Sequence, residues 1–264
     1  SPIQIFTMIV ICFLIIKCKK ESSDTASGND SRGTMSKVED LPKFETVSIG
    51  NQVWMKQNLN VTRFRNGDLI QEAKTKEEWI LAGKNHQPAW CYYENDSINS
   101  GKFGIMYNGF AVIDPRGLAP KGWEIPSNTQ WKMLYASSGA NHDGNILKCT
   151  EDWKKSIWNG NNRSGFDGRP GGKRNIFGNF MGKGESSNFW SSDKSNPAFG
   201  HGANYYANLF GYGPADIDPA THEWGMYVRC IKHDAENEEK EKFAEIEAEE
   251  IRNMQNEESE RIIK

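Results

Sequence analysis

The run Leu118–Leu134, LAPKGWEIPSNTQWKML, constrains what this chain can fold into more than any other. Pro126 disfavours helix at Ile125, because its ring crowds the preceding backbone. Ser127 stands three residues before Gln130, the spacing of a capping box. The Ser hydroxyl accepts from the Gln130 N–H and the Gln side chain accepts from the Ser127 N–H. Trp131, Leu134 and Tyr135 then fall at i, i+3 and i+4, on one face of a helix. The expected unit is an extended or turn segment, a sharp stop, and a capped helix packed on the core. Trp123 and Trp131 are expected to join the N-terminal hairpin to the later strands.

A chain of 264 residues holds one domain with a substantial core plus tails. Its 25 Gly, 9 Trp, 13 Phe and 8 Tyr crowd into residues 44–232, where short runs alternate with turn residues. The formal charge of −3 hides an asymmetry: residues 235–264 carry a net −6 and leave the remainder near +3. No dense basic patch with interleaved aromatics occurs, which argues against a nucleic-acid partner.

Residues 1–17 read as a signal peptide-like segment. Their apolar run, Ile5–Ile16, is too short for an ordinary membrane-spanning helix and suits a signal h-region. Cys18 follows, then a Ser/Asp/Gly tract, so residues 18–43 form a flexible tether and Cys18 is the candidate for lipidation. Lys17 departs from the small residue usual before a lipidated Cys, and the chain begins with Ser1. The alternatives are an uncleaved anchor and an apolar start that carries no address. The expected address is the cell envelope, lipid-anchored at the outer membrane or cell surface.

The domain proper spans 44–232. Gly50-Asn51 reads as a hairpin turn, both residues taking positive φ. Thr75 with Glu78 forms a second capping box, before a helix over 76–82 that ends at Gly83 and turns Trp79 inward. Extended runs are expected at 87–93, 107–113, 177–180, 189–192, 205–210 and 226–232. Residues 156–172 read as a long structured loop, because Trp158 and Phe166 need burial. Residues 233–264 lack Gly and Pro and read as an acidic, charged helix with only a weak apolar stripe.

Seven blocks then recur in a recognisable order: VSIGNQVWMKQNLN, PAWCYYENDS, YNGFAV, LAPKGWEIPSNTQW, SGFDGRPGGKR, GNFMGKGESSNFWSS and YVRCIK. This region resembles the Fibrobacter succinogenes major paralogous domain, a bacterial lipoprotein-associated family. Gly109 stands where that family usually has Trp, Glu124 replaces a common His, and Asp167-Gly168-Arg169 replaces the usual Ala-Leu before Pro-Gly-Gly. The family is in turn similar to C-type-lectin-like and formylglycine-generating-enzyme-like domains. The resemblance implies a compact α+β domain with short antiparallel strands, two short helices and long loops.

The chemistry-bearing residues give few patterns. His86, His142, His201, His222 and His233 are scattered, and His222-Glu223 reads as a surface pair. Asn95–Gly101 and Asp216-Ile217-Asp218 could offer oxygens to calcium, but neither keeps EF-hand spacing, so no cofactor is expected beyond that possibility. Cys149 lacks a neighbouring His motif and reads as a buried thiol. Cys91 and Cys230 sit in apolar runs and are expected to face each other. A bridge needs Cα atoms within about 7 Å.

Three functions remain open. The first is a non-catalytic envelope module binding glycan or protein through exposed aromatics, with Tyr205, Tyr206, Phe210 and Tyr212 as candidates. The second is a structural or assembly lipoprotein that uses its C-terminal helix. The third, least favoured, is an enzyme.

Overall fold

Two capped helices and thirteen short strands make up most of the regular structure of a computed structural model of the chain. It describes residues 44–195 and 202–233. Strands β1 (Thr46–Ile49) and β2 (Gln52–Met55) form an antiparallel hairpin with Val47 opposite Trp54. Gly50 turns the corner at φ +59°, whereas Asn51, expected to share that role, is not left-handed. A Cβ at Gly50 would also meet Ser137 Oγ at 2.7 Å, so glycine is needed there on two counts.

After β3 (Gln71–Glu72), helix α1 (Lys76–Lys84) opens on the Thr75–Glu78 capping box and buries Trp79. It passes through Gly83 to end one residue later. Strand β4 (Ala89–Cys91) is followed by the short α2 (Ser100–Phe103) and by β5 (Met106–Asn108). The run expected to stay extended to Ile113 instead turns into α3 (Gly109–Val112). Asn108 causes this: its Oδ1 accepts the Ala111 N–H at 3.0 Å and caps the turn.

Strand β6 (Trp123–Glu124) leads into α4 (Asn128–Ser138), which carries both halves of the Ser127–Gln130 box and ends at Gly139 in the left-handed region. A long loop reaches β7 (Gly171–Arg174), then β8 (Phe180–Lys183), β9 (Ser186–Lys194), β10 (Ala203–Phe210) and β11 (Asp216–Thr221). Strands β12 (Gly225–Met226) and β13 (Ile231–Lys232) close the domain.

These strands form two sheets. One runs β1-β2-β13-β6; the other runs β11-β10-β9-β7-β12-β5-β4-β3, with β8 beside β7. The single closing strand expected over 226–232 is broken because the chain crosses from one sheet to the other. Tyr227 exchanges backbone hydrogen bonds with β9 residues Asn188 and Trp190, whereas the Cys230 carbonyl accepts from Met55 of β2. Strands β7 and β11 were not expected. Gly171-Gly172 is poor strand sequence, and Pro219 disqualifies a central strand; β11 tolerates it by lying at the sheet edge.

Helix α4 sits at the centre. The Trp131 ring lies 4.8 Å from that of Trp54, 5.7 Å from Phe189 and 6.1 Å from Phe166. It thus joins the hairpin to β9, as its helical position required. Burial of such a side chain contributes about 1.5–3 kcal/mol. A second core gathers Trp90, Tyr107, Trp190, Met226 and Val228. Trp190 Nε1 donates to the Tyr107 carbonyl at 2.8 Å, which ties β9 to β5.

The expected Cys91–Cys230 bridge does not form. Both are free, buried thiols. Cys91 on β4 belongs to the core around Trp131, and Cys230, just before β13, to the other. Residues 1–43 and 234–264, with the Cys18 site, the tether and the charged tail helix, lie outside the described residues. Among the described residues, no helix is long and apolar enough to cross a membrane.

Candidate functional site

The loop between α4 and β7 builds two surfaces. Near its middle, a 3-10 turn, Ser156–Trp158, lays the Trp158 ring against the end of β10. A Cβ at Gly211 would come within 2.5 Å of the Trp158 ring, so only glycine lets the indole lie this close to the backbone. The Tyr212 ring stands 6.4 Å from it, centroid to centroid. Tyr212 is 77 % exposed, and Ile157 beside Trp158 is 82 % exposed. The Lys155 ammonium lies 4.7 Å from the Trp158 centroid. The result is an aromatic shelf with a cation at its rim.

A buried lysine holds this shelf from below. Lys148 Nζ donates to the carbonyls of Phe210 (3.2 Å) and Gly211 (2.9 Å) and lies over the Trp153 ring at 4.5 Å. These bonds satisfy two carbonyls just where β10 ends. Burial pulls the Lys148 pKa down to about 8, against the opposing pull of Asp143.

The four aromatic candidates separate. Tyr212 is on the shelf, and Phe210 is 41 % exposed at the end of β10. Tyr205 is half-buried. Tyr206 is no surface residue: it packs in the core around Trp190, and Lys173 Nζ lies 5.1 Å from its ring. Strand alternation across a sheet covered on that face put it inside. Trp158, expected to be buried, is only half-buried and becomes the shelf's second ring.

The second surface is a polar cavity of about 270 Å³ lined by Lys56, Asn58, Lys102, Asp167, Arg169 and Arg229 among others. Arg169 donates to Asp167 Oδ2 at 2.9 Å and to Asp152 Oδ2 at 2.8 Å, and Lys102 pairs with the other oxygen of Asp152. Asp152 and Asp167 both hold positive φ, at 75° and 55°, so the loop backbone is strained where it presents these carboxylates. Arg229 is 2 % exposed. Its Nε donates to Asn58 Oδ1 at 2.8 Å, and its Nη1 to the carbonyls of Phe166 (2.6 Å) and Met55 (3.3 Å). Its guanidinium lies over the Phe166 ring at 4.5 Å. Burial pulls its pKa down to about 9, so it is a cation at neutral pH.

Other candidates take ordinary places. His222, read as a surface residue, is buried, with Nε2 3.0 Å from Asn204 Oδ1. Cys149 is buried with Sγ on the Glu151 carbonyl, and burial pushes its pKa up. Asp218 on β11 accepts from Asn208 Nδ2 at 2.6 Å, and Asp96 caps the Ile98 N–H at 3.0 Å. Among the described residues, no cluster of three or more His, Cys, Asp or Glu could hold a metal ion.

No curated protein and no solved structure matches the chain. One family model does, that of the Fibrobacter succinogenes major domain, over residues 47–232. That match spans most of the chain and covers both sheets, the capped helix α4, the aromatic shelf and the polar cavity, and on it the chain belongs to the Fibrobacter succinogenes major domain family.

Proposed function

We propose that this domain is a non-catalytic binding module of the cell envelope, carried on a lipid anchor at Cys18, and that it grips a glycan on the Trp158–Tyr212 shelf. The observation that carries the reading is the pairing of these two rings at the surface, one half-buried and fixed by Gly211, the other 77 % exposed. Aromatic faces stack on the C–H surfaces of sugars, and an indole fixed from beneath loses little freedom on binding. The Lys155 ammonium at the rim adds a donor for sugar hydroxyls.

The test is a glycan array with the intact chain. Binding that disappears in Tyr212→Ala, while the thermal midpoint stays within a degree or two, supports the module. Clean arrays alongside a specific pull-down by residues 235–264 would instead favour an assembly lipoprotein acting through its C-terminal segment. The anchor is tested separately: palmitate labelling should vanish in Cys18→Ser.

A further inference from the structure

We infer that the cavity floored by Arg229 is a second binding site, for a carboxylate group such as that of an acidic sugar. Three observations converge on it. First, Arg229 is fully buried yet has no carboxylate among its hydrogen-bond partners, which are one amide oxygen and two carbonyls. Those acceptors occupy Nε and Nη1; among the described residues, Nη2 has none. A guanidinium with unfilled donors at the base of a cavity is set to receive an acceptor from a ligand.

Second, the charges do not balance. Lys56, Lys102, Arg169 and Arg229 line the cavity. The carboxylates that meet them are Asp152, Asp167 and, at 3.7 Å from Lys56, Glu45. Four cations against three anions leave one positive charge in excess, which suits a monoanion better than a phosphate dianion. Third, the cavity is already formed. Asp167 and Asp152 fix the Arg169 fork in place, and Asn58 holds Arg229 while its own Nδ2 donates to the Phe103 carbonyl at 2.8 Å. Little ordering cost remains for the ligand to meet.

Burial strengthens the case. Arg229 is held well below its ordinary pKa by desolvation, with Asp167 and Cys230 pulling against it and Arg169 adding to the fall. A carboxylate against Nη2 compensates the buried charge, and its binding should raise that pKa.

The experiment titrates the intact chain at low chloride with sodium glucuronate, using glucose and inorganic phosphate as comparisons. Binding is followed by calorimetry and by the side-chain ¹⁵N resonances of Arg229. Saturable glucuronate binding with a shift of the Arg229 signals is expected. Lys56→Gln should weaken it about tenfold and Lys56→Arg should restore it. Lys56 is half exposed, so neither variant threatens the fold. Tyr212→Ala should leave it unchanged, which keeps this site distinct from the shelf. Equal binding of glucose, tighter binding of phosphate, or glucuronate binding that ignores Lys56→Gln and leaves the Arg229 signals still would each overturn the proposal. Arg229→Lys is the secondary variant; if it folds, it should lose binding.

Discussion

The Gly109 N–H donates to the His222 carbonyl at 2.7 Å, and a Cβ on Gly109 would meet the His222 Cα at 2.7 Å. The two backbones touch, with no room for any side chain between them. Gly109→Ala should therefore cost about 1–3 kcal/mol by overpacking, although α3 would otherwise favour Ala. Gly109→Trp, the residue expected of the family here, should cost more. Urea denaturation measures both; a neutral Gly109→Ala would mean the segment at His222 yields freely.

His222 makes the same region sensitive to acid. Burial lowers its pKa below the ordinary 6.5, with Glu223 opposing and His86 and Lys194 adding to the fall. The unfolded chain therefore takes up the proton first. Stability present above pH 6.5 should drain as the pH falls below it, by at most about 1.4 kcal/mol per pH unit. Comparing wild type with His222→Gln between pH 7.5 and 5 isolates this term, which should be absent from the variant.

Trp131 is the hinge of the aromatic core, so Trp131→Ala should cost about 3–5 kcal/mol in chemical denaturation. Its Nε1 has no acceptor among the described residues. Trp131→Phe removes that unfilled donor along with some packing, and should cost clearly less than the Ala variant. Equal costs would show that the indole N–H matters in a way the contacts do not reveal.

Lys148 should titrate near pH 8 in the folded protein, far below an ordinary lysine. Because the unfolded lysine holds its proton until about 10.5, this group adds stability as the pH rises from about 8 to 10.5. Side-chain NMR of labelled lysine reads the midpoint directly. Lys148→Met should loosen the Phe210–Gly211 backbone and raise hydrogen exchange there, without disturbing the Trp131 core.

The local signals in the chain were the legible ones. Ser127 with Gln130 and Thr75 with Glu78 placed the starts of both longer helices, because a capping box is written within four residues of sequence. Trp131 could be assigned to the core from helical spacing alone. Signals that depend on distant partners were not legible. Whether Cys91 and Cys230 meet depends on which sheet each strand joins, and the closing run divides between two. Tyr206 and Tyr212 look alike in sequence; only the pairing of β10 with β9 and β11 buries the first. The Arg229 cavity left one trace, a charged residue in the middle of the apolar run MYVRCIK, where a buried strand has no ordinary place for it.

Trp54 is paired on one side with Val47 of β1 and on the other with Ile231 of β13. The family region thus starts and finishes on strands that flank the same residue, two strand spacings or about 10 Å apart. A unit closed in this way behaves as a cassette. It can be spliced into a host loop, or permuted by linking its ends with a few residues, and the flanking polypeptide need part by little more than the width of a helix.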